Sequence, residues 1–395
     1  MIPSLRQQFN ANFTGQKYEQ FLQQLDLRCG THVKFRNCET PCFFPKSLLE
    51  TMANYGLELV AQIVDNPEYL SASDKRIPPE FNTPGETAHP LFVQADFGLV
   101  EMDDGGLEPR LVEIQGFPSL YAYQTVLAPL YREVYGLDPG LKFLMSGLAL
   151  EDYLQLLRRA IVDDCDPENV ILLEINPQQQ KTLPDFLLTE RILGISTINI
   201  TDLIKQGNHL YYRRGNGLIP VHRIYNRVIT DELVRTRVSL PFGFRDDLQI
   251  EWAEHPNWFF RLSKFSIPYF KHRSVPRTWF LDQVDLLPQD LENYVLKPLF
   301  SYAGLGVKIG VSKVDLASIP PEEKRNYILQ EKVLFKPVIE TPFGLTKAEI
   351  RIMYIWLDKL LPVTTVLRMG RGAMMGVDHN RNLEWVGGTT AFFEK

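Results

Sequence analysis

The sequence predicts an α/β fold, and three patterns carry this prediction. From residue 169 onward an apolar run, VILLE, is followed by an amphipathic segment, DFLLTERILGI, and by a strand-like run, STINI. This order is typical of a strand–helix–strand unit with a loop after the first strand. Stretches at 91–120 and 347–370 predict two hairpins of long strands, and apolar residues at helical spacing predict a helix over 46–65.

The composition is that of an ordinary globular protein and excludes several function classes. The chain has 395 residues, of which 45% are hydrophobic and 23% charged, so we expect two or three domains with ample cores. A formal net charge of -6 argues against a general nucleic-acid binder. The polar N-terminus does not have the pattern of a signal peptide, and no apolar run approaches the length of a membrane span. We therefore expect a cytoplasmic protein without nucleic-acid or membrane partners.

The first ninety residues receive no functional assignment from the sequence. The cysteines of the chain are Cys29, Cys38, Cys42 and Cys165. The spacing Cys38-x-x-x-Cys42, beside Cys29 and His32, suggests zinc, but a second closely spaced pair is missing, so we favour buried or free thiols. Arg36 precedes a Thr-Pro turn, where it binds an anion or, as we favour, forms a structural salt bridge.

The hairpin predicted over 91–120 carries a candidate metal site. Its two strands, LFVQADFGLVEM and RLVEIQGFPSL, flank a turn around Gly105 and Gly106. Folding the hairpin there brings Asp96 opposite Glu113 and Gln115, which strand alternation places on one face. Burying two carboxylates together is unfavourable without a cation, and oxygen ligands suit magnesium that substrate phosphates also hold. The alternative is a solvated face with scattered acids.

One or two helices are predicted between residues 120 and 157, before the strand–helix–strand unit. At the end of its first strand lies Glu174-Ile-Asn176, a second Glu-x-Asn pattern. It follows a fully apolar run and has no partner acid in a preceding hairpin. We therefore interpret this segment as the first crossover of a Rossmann-like subdomain, where strand ends commonly hold substrate.

A further hairpin is predicted to turn at residues 215–217 and to deliver a small basic group. Arg223, Asn226 and Arg227 follow its second strand. Guanidinium groups next to an amide suit a carboxylate-bearing substrate. Surface salt bridges are an equally good interpretation, and both stay open here.

The stretch from residue 294 to 333 organises the chain. It predicts a strand with Lys297, a loop with Gly304 and Gly306, a second strand through Val311, a spacer and a third strand entering QEKV at 330–333. A lysine beside a glycine loop suits a triphosphate, since backbone N–H groups approach its oxygens and the ammonium adds charge. The lysine precedes the glycines, so this is not a Walker P-loop. A solvated surface lysine is the alternative.

The segments on either side contain further basic candidates. Residues 250–290 are dense in aromatic and basic side chains, but the acidic chain disfavours nucleic-acid stacking there. Alternation in the last hairpin places Glu349 and Arg351 on one face. Arg368 lies in its second strand, and Arg371 and Asn380 follow in a loop where solvated charge is the alternative.

The order Lys297-Pro, glycine loop, strand and Gln330-Glu331-Lys332-Val333 resembles the nucleotide lid and hinge of the ATP-grasp superfamily of carboxylate–amine ligases. The early acidic hairpin resembles the metal strands of that family, where an acid faces a Glu-x-Asn. Those strands normally follow the lid, whereas here they precede it. The chain thus resembles a circularly permuted ATP-grasp protein of the glutathionylspermidine synthetase type. Gln115 departs from the usual Asn, which leaves the amide oxygen on a longer arm.

The resemblance implies a role for each candidate. Lys264, for which Lys271 competes, and Lys297 would contact phosphates, and Arg351 would stabilise the transferring phosphoryl group while Arg368 orients the acyl phosphate. The implied nucleotide-binding residues are Lys264, Lys297, Gly304, Gly306, Gln330, Glu331 and Val333. The implied metal ligands are Asp96, Glu113 and Gln115, and the implied substrate residues are Arg223, Asn226 and Arg227. Arg371 and Asn380 match the family more loosely.

The sequence therefore predicts an ATP- and Mg²⁺-dependent ligase that joins a small-molecule carboxylate to an amine through an acyl phosphate. The expected fold is a permuted ATP-grasp, with two α+β lobes around ATP and a Rossmann-like subdomain. The predicted divisions are 1–165 with the metal hairpin, 166–255 as the Rossmann-like part, 256–335 as lid and hinge, and 336–395 as the rest of the catalytic lobe. A small-molecule kinase and a non-catalytic nucleotide-binding module are the alternatives.

Overall fold

The computed structural model describes residues 1–301, 304–380 and 382–394. The α-helices are α1 (Pro3–Asn12), α2 (Gly15–Cys29), α3 (Lys46–Ala61), α4 (Pro67–Asp74), α5 (Gln124–Tyr135), α6 (Leu150–Ile161), α7 (Leu183–Leu193), α8 (Thr230–Thr236), α9 (Asn257–Arg261), α10 (Lys313–Ala317) and α11 (Val377–Asn380). The strands are β1 (Cys42–Phe43), β2 (Phe92–Glu101), β3 (Leu107–Gln115), β4 (Val170–Glu174), β5 (Ser196–Asn199), β6 (Ile204–Gln206), β7 (His209–Arg214), β8 (Gly217–Val221), β9 (Arg223–Asn226), β10 (Glu251–Trp252), β11 (Thr278–Phe280), β12 (Tyr294–Pro298), β13 (Lys308–Ile309), β14 (Tyr327–Glu331), β15 (Ile339–Thr341), β16 (Gly344–Trp356), β17 (Leu360–Gly370), β18 (Gly387–Thr389) and β19 (Ala391–Phe392). The mixture of helices and several sheets is consistent with the predicted α/β class.

The central sheet is antiparallel and joins the two predicted hairpins. Its order is β18–β17–β16–β2–β3, with β15 beside β16. Both hairpins are confirmed, and β2 pairs directly with β16, which sets Asp96 opposite Arg351. Strand alternation divides the faces: Ala95 and Ile352 belong to a buried core with α3, whereas Asp96 and Arg351 lie on the opposite face. That second face forms one wall of the cleft described below.

A smaller antiparallel sheet stands over this wall. Its order is β11–β14–β12–β13, and a small core with Leu296 and Leu329 supports it. The predicted strand with Lys297 is confirmed as β12. The second strand is shorter than predicted, because it pairs with β12 only at Lys308 and Ile309. The third ends at Glu331, before Lys332 and Val333.

The predicted strand–helix–strand unit is confirmed as β4–α7–β5. These strands belong to a parallel sheet of order β10–β9–β4–β5. Its two central strands, β4 and β9, are buried along their whole length, as is usual for parallel sheets. The hairpin predicted at 215–217 is also confirmed, since β7 and β8 pair up to Arg214 and Gly217 across a tight turn with Gly215 at φ +58°.

The first residues pack against the middle and the end of the chain. Phe21 of α2 stacks on Tyr131 of α5, and β1 pairs in parallel with β19. Helix α3 ends at Ala61 rather than near residue 65, because Asn66 caps a new helix that begins at Pro67. None of the described helices combines the length and the apolar character needed to cross a membrane. The division into four parts and the cytoplasmic location stay predictions.

Candidate functional site

A cavity of about 370 Å³ lies between the central sheet and the smaller sheet. Asp96 and Glu113 from the early hairpin line it together with Lys297 from β12. The other lining residues are Val112, Lys264, Val295, Gly304, Val307, Ile309, Gln330, Glu331, Lys332, Val333, Leu334, Phe335, Lys347, Glu349, Arg368, Ala373, Met374, Met375, Gly376 and His379. Two distant pieces of the sequence thus meet around one space, as the resemblance implied.

Asp96 is the shared partner of two arginines at the polar end of this cavity. Arg351 reaches both carboxylate oxygens, with Nε and Nη2 at 2.6 and 2.7 Å. Arg368 Nη2 donates to Asp96 at 2.6 Å and lies 3.0 Å from a Glu349 oxygen. Burial alone would raise the pKa of Asp96, but the two guanidinium groups lower it below its ordinary value. Asp96 is therefore a buried carboxylate that stays ionised.

Glu113 is balanced by lysines in the same way. Lys264 Nζ lies 2.9 Å from a Glu113 oxygen and donates to the carbonyl of Ser301 at 2.6 Å. Lys297 Nζ donates to the carbonyl of Val112 at 2.9 Å. Burial raises the pKa of Glu113, but Lys264 and Lys297 outweigh it and lower the pKa overall. Burial lowers the pKa of Lys297 to about 8, against the opposing influence of Glu113.

Glu349 is a site residue that sequence reasoning left without a role. It lines the cavity, is 7% exposed and contacts Arg368. Burial raises the pKa of its carboxyl group, although Arg368 opposes the rise. The alternation that placed Glu349 beside Arg351 was sufficient to find it. The lining residues Met374 and Met375 lie in a loop and His379 lies in the short helix α11, where no such periodicity is available.

Gln115, one of the predicted metal ligands, is engaged within the protein. Its Nε2 donates to Gln94 Oε1 at 2.8 Å, and Arg351 Nη1 donates to the same oxygen at 2.7 Å. Gln94 Nε2 in turn donates to the carbonyl of Ser119. Within residues 1–301, 304–380 and 382–394, no three His, Cys, Asp or Glu side chains are arranged to hold a metal ion. The metal role of Asp96, Glu113 and Gln115 stays a prediction.

The other end of the cavity is largely apolar. Val295, Val307 and Ile309 line it from the smaller sheet, and Leu334 and Phe335 follow the hinge strand. Such a surface, with few polar groups, is typical of small-molecule sites. Gln330, predicted to contact the nucleotide, lies in this wall and is 1% exposed.

The glycine loop borders the cavity beside Met374. Gly304 and Gly306 have φ values of +76° and +72°, which disfavour other residues. A Cβ atom at Gly306 would lie 2.9 Å from Pro298 Cγ. Both glycines are therefore required for this local path of the chain. Gly304 lines the cavity, whereas Gly306 shapes the loop behind it.

Asn380 organises the loop on the opposite side. Its Oδ1 accepts from the N–H groups of Arg371 and Gly372, and its Nδ2 donates to the carbonyls of Met374 and Gly376. Arg371 itself donates to Thr346 Oγ1 and to the carbonyl of Glu384. These contacts give Asn380 and Arg371 a structural role, and the role toward the acyl phosphate that their loose match suggested stays a prediction.

The predicted substrate residues Arg223, Asn226 and Arg227 do not line this cavity. Arg223 donates to a Glu251 carboxylate oxygen at 2.5 Å and to the backbone carbonyls of Ala160 and Ile161, the last two residues of α6. Arg227 forms an ion pair with Asp185 at 2.8 Å, and both side chains are buried. Asn226 Oδ1 accepts from the N–H of Val228. Their substrate-binding role stays a prediction, and their contacts support the salt-bridge interpretation for the two arginines.

Three open alternatives are decided by position. Lys264 lines the cavity and Lys271 does not. All four cysteines are free thiols, and three of them are buried, as predicted. Arg36 forms an ion pair with Glu39, which favours the structural interpretation.

Comparison with known proteins identifies the fold. No family model matches the chain, and no curated protein matches its sequence. Among solved structures, it is similar to a glutathione synthetase-like effector from Globodera pallida in its apoform, with a TM-score of 0.58, 14% identity and coverage of 95% of this chain and 96% of that chain. The two proteins share a fold. At this identity the similarity covers the architecture and not the individual site residues.

Proposed function

We propose that the chain is an ATP-dependent carboxylate–amine ligase with a circularly permuted ATP-grasp fold. One observation carries the proposal: acids from the early hairpin and lysines of the lid segment line the same cavity, beneath a glycine loop and a hinge strand. The similarity to a glutathione synthetase-like protein supports an ATP-grasp type of ligase. The parallel sheet would be the Rossmann-like part of this architecture.

The two ends of the cavity suit the two ends of a nucleotide. The adenine would lie at the apolar end near Val295 and Ile309, with the backbone of Glu331 and Val333 along its edge. The triphosphate would extend toward Lys264 and Lys297, whose ammonium groups neutralise phosphate charge. Arg368 is 27% exposed on its side chain and would turn from Glu349 to the terminal phosphate.

The donor groups fit a magnesium ion only with help from the nucleotide. Magnesium in nucleotide sites is usually held by one or two carboxylates together with phosphates. Glu113 is ionised, with 26% of its side chain exposed at the cavity, and Asp96 is ionised beside it. These two carboxylates would hold the ion, and Gln115, whose amide nitrogen donates to Gln94, would contribute only its Oε1 atom. The bound ion would neutralise charge on the triphosphate.

The proposed reaction needs no nucleophile from the protein. An oxygen of the substrate carboxylate forms a bond to the γ-phosphorus while the bond to the bridging oxygen of ADP breaks. The amine nitrogen then attacks the acyl carbon, inorganic phosphate leaves and the nitrogen loses a proton. Lys297, Arg351 and Arg368 would align the groups and stabilise charge on the transferring phosphoryl group.

A hydroxylamine trap tests the proposal. The protein is incubated with ATP, Mg²⁺, hydroxylamine and a panel of amino acids and small dicarboxylic acids, and ADP and hydroxamate are measured. We expect both products in equal amounts from at least one acid, and their loss in Lys297→Met. Lys271→Met is the matched control because Lys271 does not line the cavity. A phosphorylated product without hydroxamate would indicate the kinase alternative instead.

A nucleotide-binding module without turnover is the second candidate, and one observation favours it. Both carboxylate oxygens of Asp96 and the amide nitrogen of Gln115 already have partners within the protein. If these contacts persist with nucleotide bound, the metal has too few ligands for catalysis. Calorimetry would then show ATP binding, and the ADP-release assay would show no turnover with any acid in the panel.

A further inference from the structure

A second cavity, of about 540 Å³, borders the segment 331–335, and we call it the rear cavity. Its walls include Arg110 of β3, Arg277 just before β11, and Lys336. None of these three residues lines the main cavity. The proposed ligase reaction gives the rear cavity no task.

The carboxylates that line the rear cavity are neutralised by neighbouring cations. Lys336 Nζ lies 2.5 Å from a Glu101 oxygen, and Arg277 Nε lies 3.4 Å from a Glu331 oxygen. All four residues line the cavity. The remaining basic groups therefore decide its charge.

Two further cations, Arg110 and Lys332, line the same cavity. Lys332 Nζ donates to the backbone carbonyl of Glu292, which carries no charge. Arg110 donates to the backbone carbonyl of Arg273, and its carboxylate neighbour Glu108 lies 3.6 Å away and also faces Arg273. The rear cavity is thus cationic in a chain of net charge -6, and a local excess of basic groups attracts anions.

Apolar side chains form much of the remaining wall of the rear cavity. Val100, Val275 and Leu334 belong to it, and Leu334 is 71% exposed, so a ligand can cover it. An apolar wall with a few charged groups is typical of small-molecule sites. Here the combination suits an anion with an apolar body, such as an aromatic carboxylate, sulfonate or phosphate ester.

Another cavity shows the opposite charge. It measures about 410 Å³ and is lined by Asp246, Asp247 and Glu251 together with Arg223, which is paired with Glu251. An organic anion is therefore expected in the rear cavity and not in that one.

The residues 331–335 line both the main cavity and the rear cavity. They pack closely on the central sheet, since a Cβ atom at Gly98 would lie 2.7 Å from Phe335 Cε1 and 2.8 Å from Val333 Cγ1. Closely packed groups transmit displacements. A ligand that presses on this shared wall from the rear cavity therefore changes the shape of the main cavity.

We propose that the rear cavity binds a small organic anion with an apolar body, and that this ligand changes the affinity of the main cavity for ATP. The first part stands without the proposed function. The second part rests on it, because it assumes that ATP occupies the main cavity.

A pair of fluorescent probes tests the rear cavity by titration. Anilinonaphthalene sulfonate and phenylnaphthylamine share their aromatic rings, but only the first carries a negative charge. We expect wild type to bind the sulfonate about tenfold more tightly, the equivalent of one charge-assisted hydrogen bond, and Arg110→Gln to lose this preference. Arg273→Gln is the matched control, because Arg273 faces the same Glu108 without lining the cavity, and Lys297→Met removes a cation of the main cavity. Both should keep the preference.

Equal affinity of wild type for the two probes would overturn the proposal, and that measurement needs no variant to fold. A preference that persists in Arg110→Gln, or that Lys297→Met abolishes, would overturn it as well, because the sulfonate would then lie outside the rear cavity.

Calorimetry of ATP with and without saturating sulfonate tests the connection between the cavities. In wild type we expect the affinity for ATP to change about fivefold or more, as is usual for coupled sites, and in Arg110→Gln to stay constant at the same sulfonate concentration. A constant affinity in wild type would overturn the coupling. If wild type binds no ATP, the proposed function fails, whereas the probe titrations still decide whether the rear cavity binds an anion.

Discussion

The cleft and the carboxyl edge of the parallel sheet both bury carboxylates, yet Asp96 and Glu113 of the cleft differ in ionisation from Glu174 and Glu254 of the sheet edge. In the cleft the pKa values of Asp96 and Glu113 are lowered. At the carboxyl edge of the parallel sheet, burial raises the pKa of Glu174, the last residue of β4, to about 8. Burial also raises the pKa of Glu254, which follows β10, well above its ordinary value. Glu349 is the exception in the cleft, because burial raises its pKa although Arg368 opposes the rise. Similar burial therefore gives ionised Asp96 and Glu113 in the cleft and protonated Glu174 and Glu254 at the parallel sheet.

The difference lies in the distribution of cations. Two arginines contact Asp96, and a lysine contacts Glu113. Near Glu174, Arg227 lowers the pKa only in part, and that arginine is already paired with Asp185. Glu254 accepts from the N–H of Phe92, and its second oxygen has no partner in the described part of the chain. Concentrated basic groups, rather than buried acids, thus distinguish the cleft as a site for an anionic ligand.

The largest expected effect is on the ion pairs themselves. Asp96→Ala leaves two guanidinium groups without their shared carboxylate, so the free energy of unfolding should fall by about 3–5 kcal/mol. Asp185→Ala, which removes the partner of Arg227, is the matched comparison in the other region. Its free energy of unfolding should decrease by an amount in the same range. Urea unfolding measures both. A loss below about 1 kcal/mol for Asp96→Ala alone would show that the cleft arginines are solvated.

The second prediction concerns the pH dependence of the free energy of unfolding, which should differ between the two regions. Glu174 has a folded pKa of about 8 against an ordinary value of 4.5, so its contribution to stability is complete below pH 4.5 and is lost as pH rises through 8. The slope should be at most about 1.4 kcal/mol per pH unit. Glu174→Gln should flatten this dependence in urea unfolding between pH 5 and 8.

Glu113→Gln provides the contrast to that experiment. The pKa of Glu113 is lowered in the folded protein, so its contribution is present above the unfolded value of 4.5 and is lost as pH falls further. Its substitution should leave the slope between pH 5 and 8 unchanged. Equal flattening by both substitutions would contradict the distinction between the regions.

Local patterns predicted the strands and turns, but not their partners. Alternation and a glycine turn are properties of neighbouring residues, which is why the hairpins around Gly105 and Gly215 and the unit β4–α7–β5 were predictable. The pairing of β2 with β16 connects residues far apart in the chain and was not predicted. The family resemblance implied only that the early hairpin and the Lys297 segment share one site. The contact of Gln115 with Gln94 depends on side-chain directions within that sheet.

Two groups of predicted site residues whose contacts lie within the protein show the same limit. The partners of Arg223 and Arg227 come from α6, α7 and β10, so no spacing within their own hairpin indicates that these arginines are already engaged. The amide of Asn380 bonds to the backbone of its own loop, whose path has no periodic pattern. In contrast, alternation alone placed Glu349 on the strand face of Arg351, although the sequence analysis gave it no role in the site.

A third prediction concerns the charge of Lys297 in the cleft. Its pKa is lowered to about 8 by burial, so the ammonium group is lost as pH rises through this value. The affinity for ATP should therefore decrease about tenfold between pH 7 and 9. Lys297→Arg keeps its charge and should bind ATP with little change over this range, as calorimetry would show. Lys271→Met should retain the wild-type decrease, and a wild-type affinity independent of pH would contradict a phosphate contact by Lys297.

The smallest expected effect is that of Asn380→Ala, which alters the wall of the cleft without altering its charges. Four backbone groups of the loop lose their amide partner. Asn380 itself is 1% exposed, but the four backbone groups that it bonds belong to half-buried residues that water can reach once the side chain is removed. The free energy of unfolding should therefore fall by about 1–3 kcal/mol, less than for Asp96→Ala. The affinity for ATP should decrease a few-fold, because Met374 and Met375 line the cavity from this loop. Asn293→Ala, which removes an exposed side-chain bond to Asp290, is the control and should change neither quantity. If Asn380→Ala lowered the free energy of unfolding as much as Asp96→Ala, the loop would be needed for the fold. The loop could then no longer be distinguished from the ion pairs of the cleft by its effect on stability.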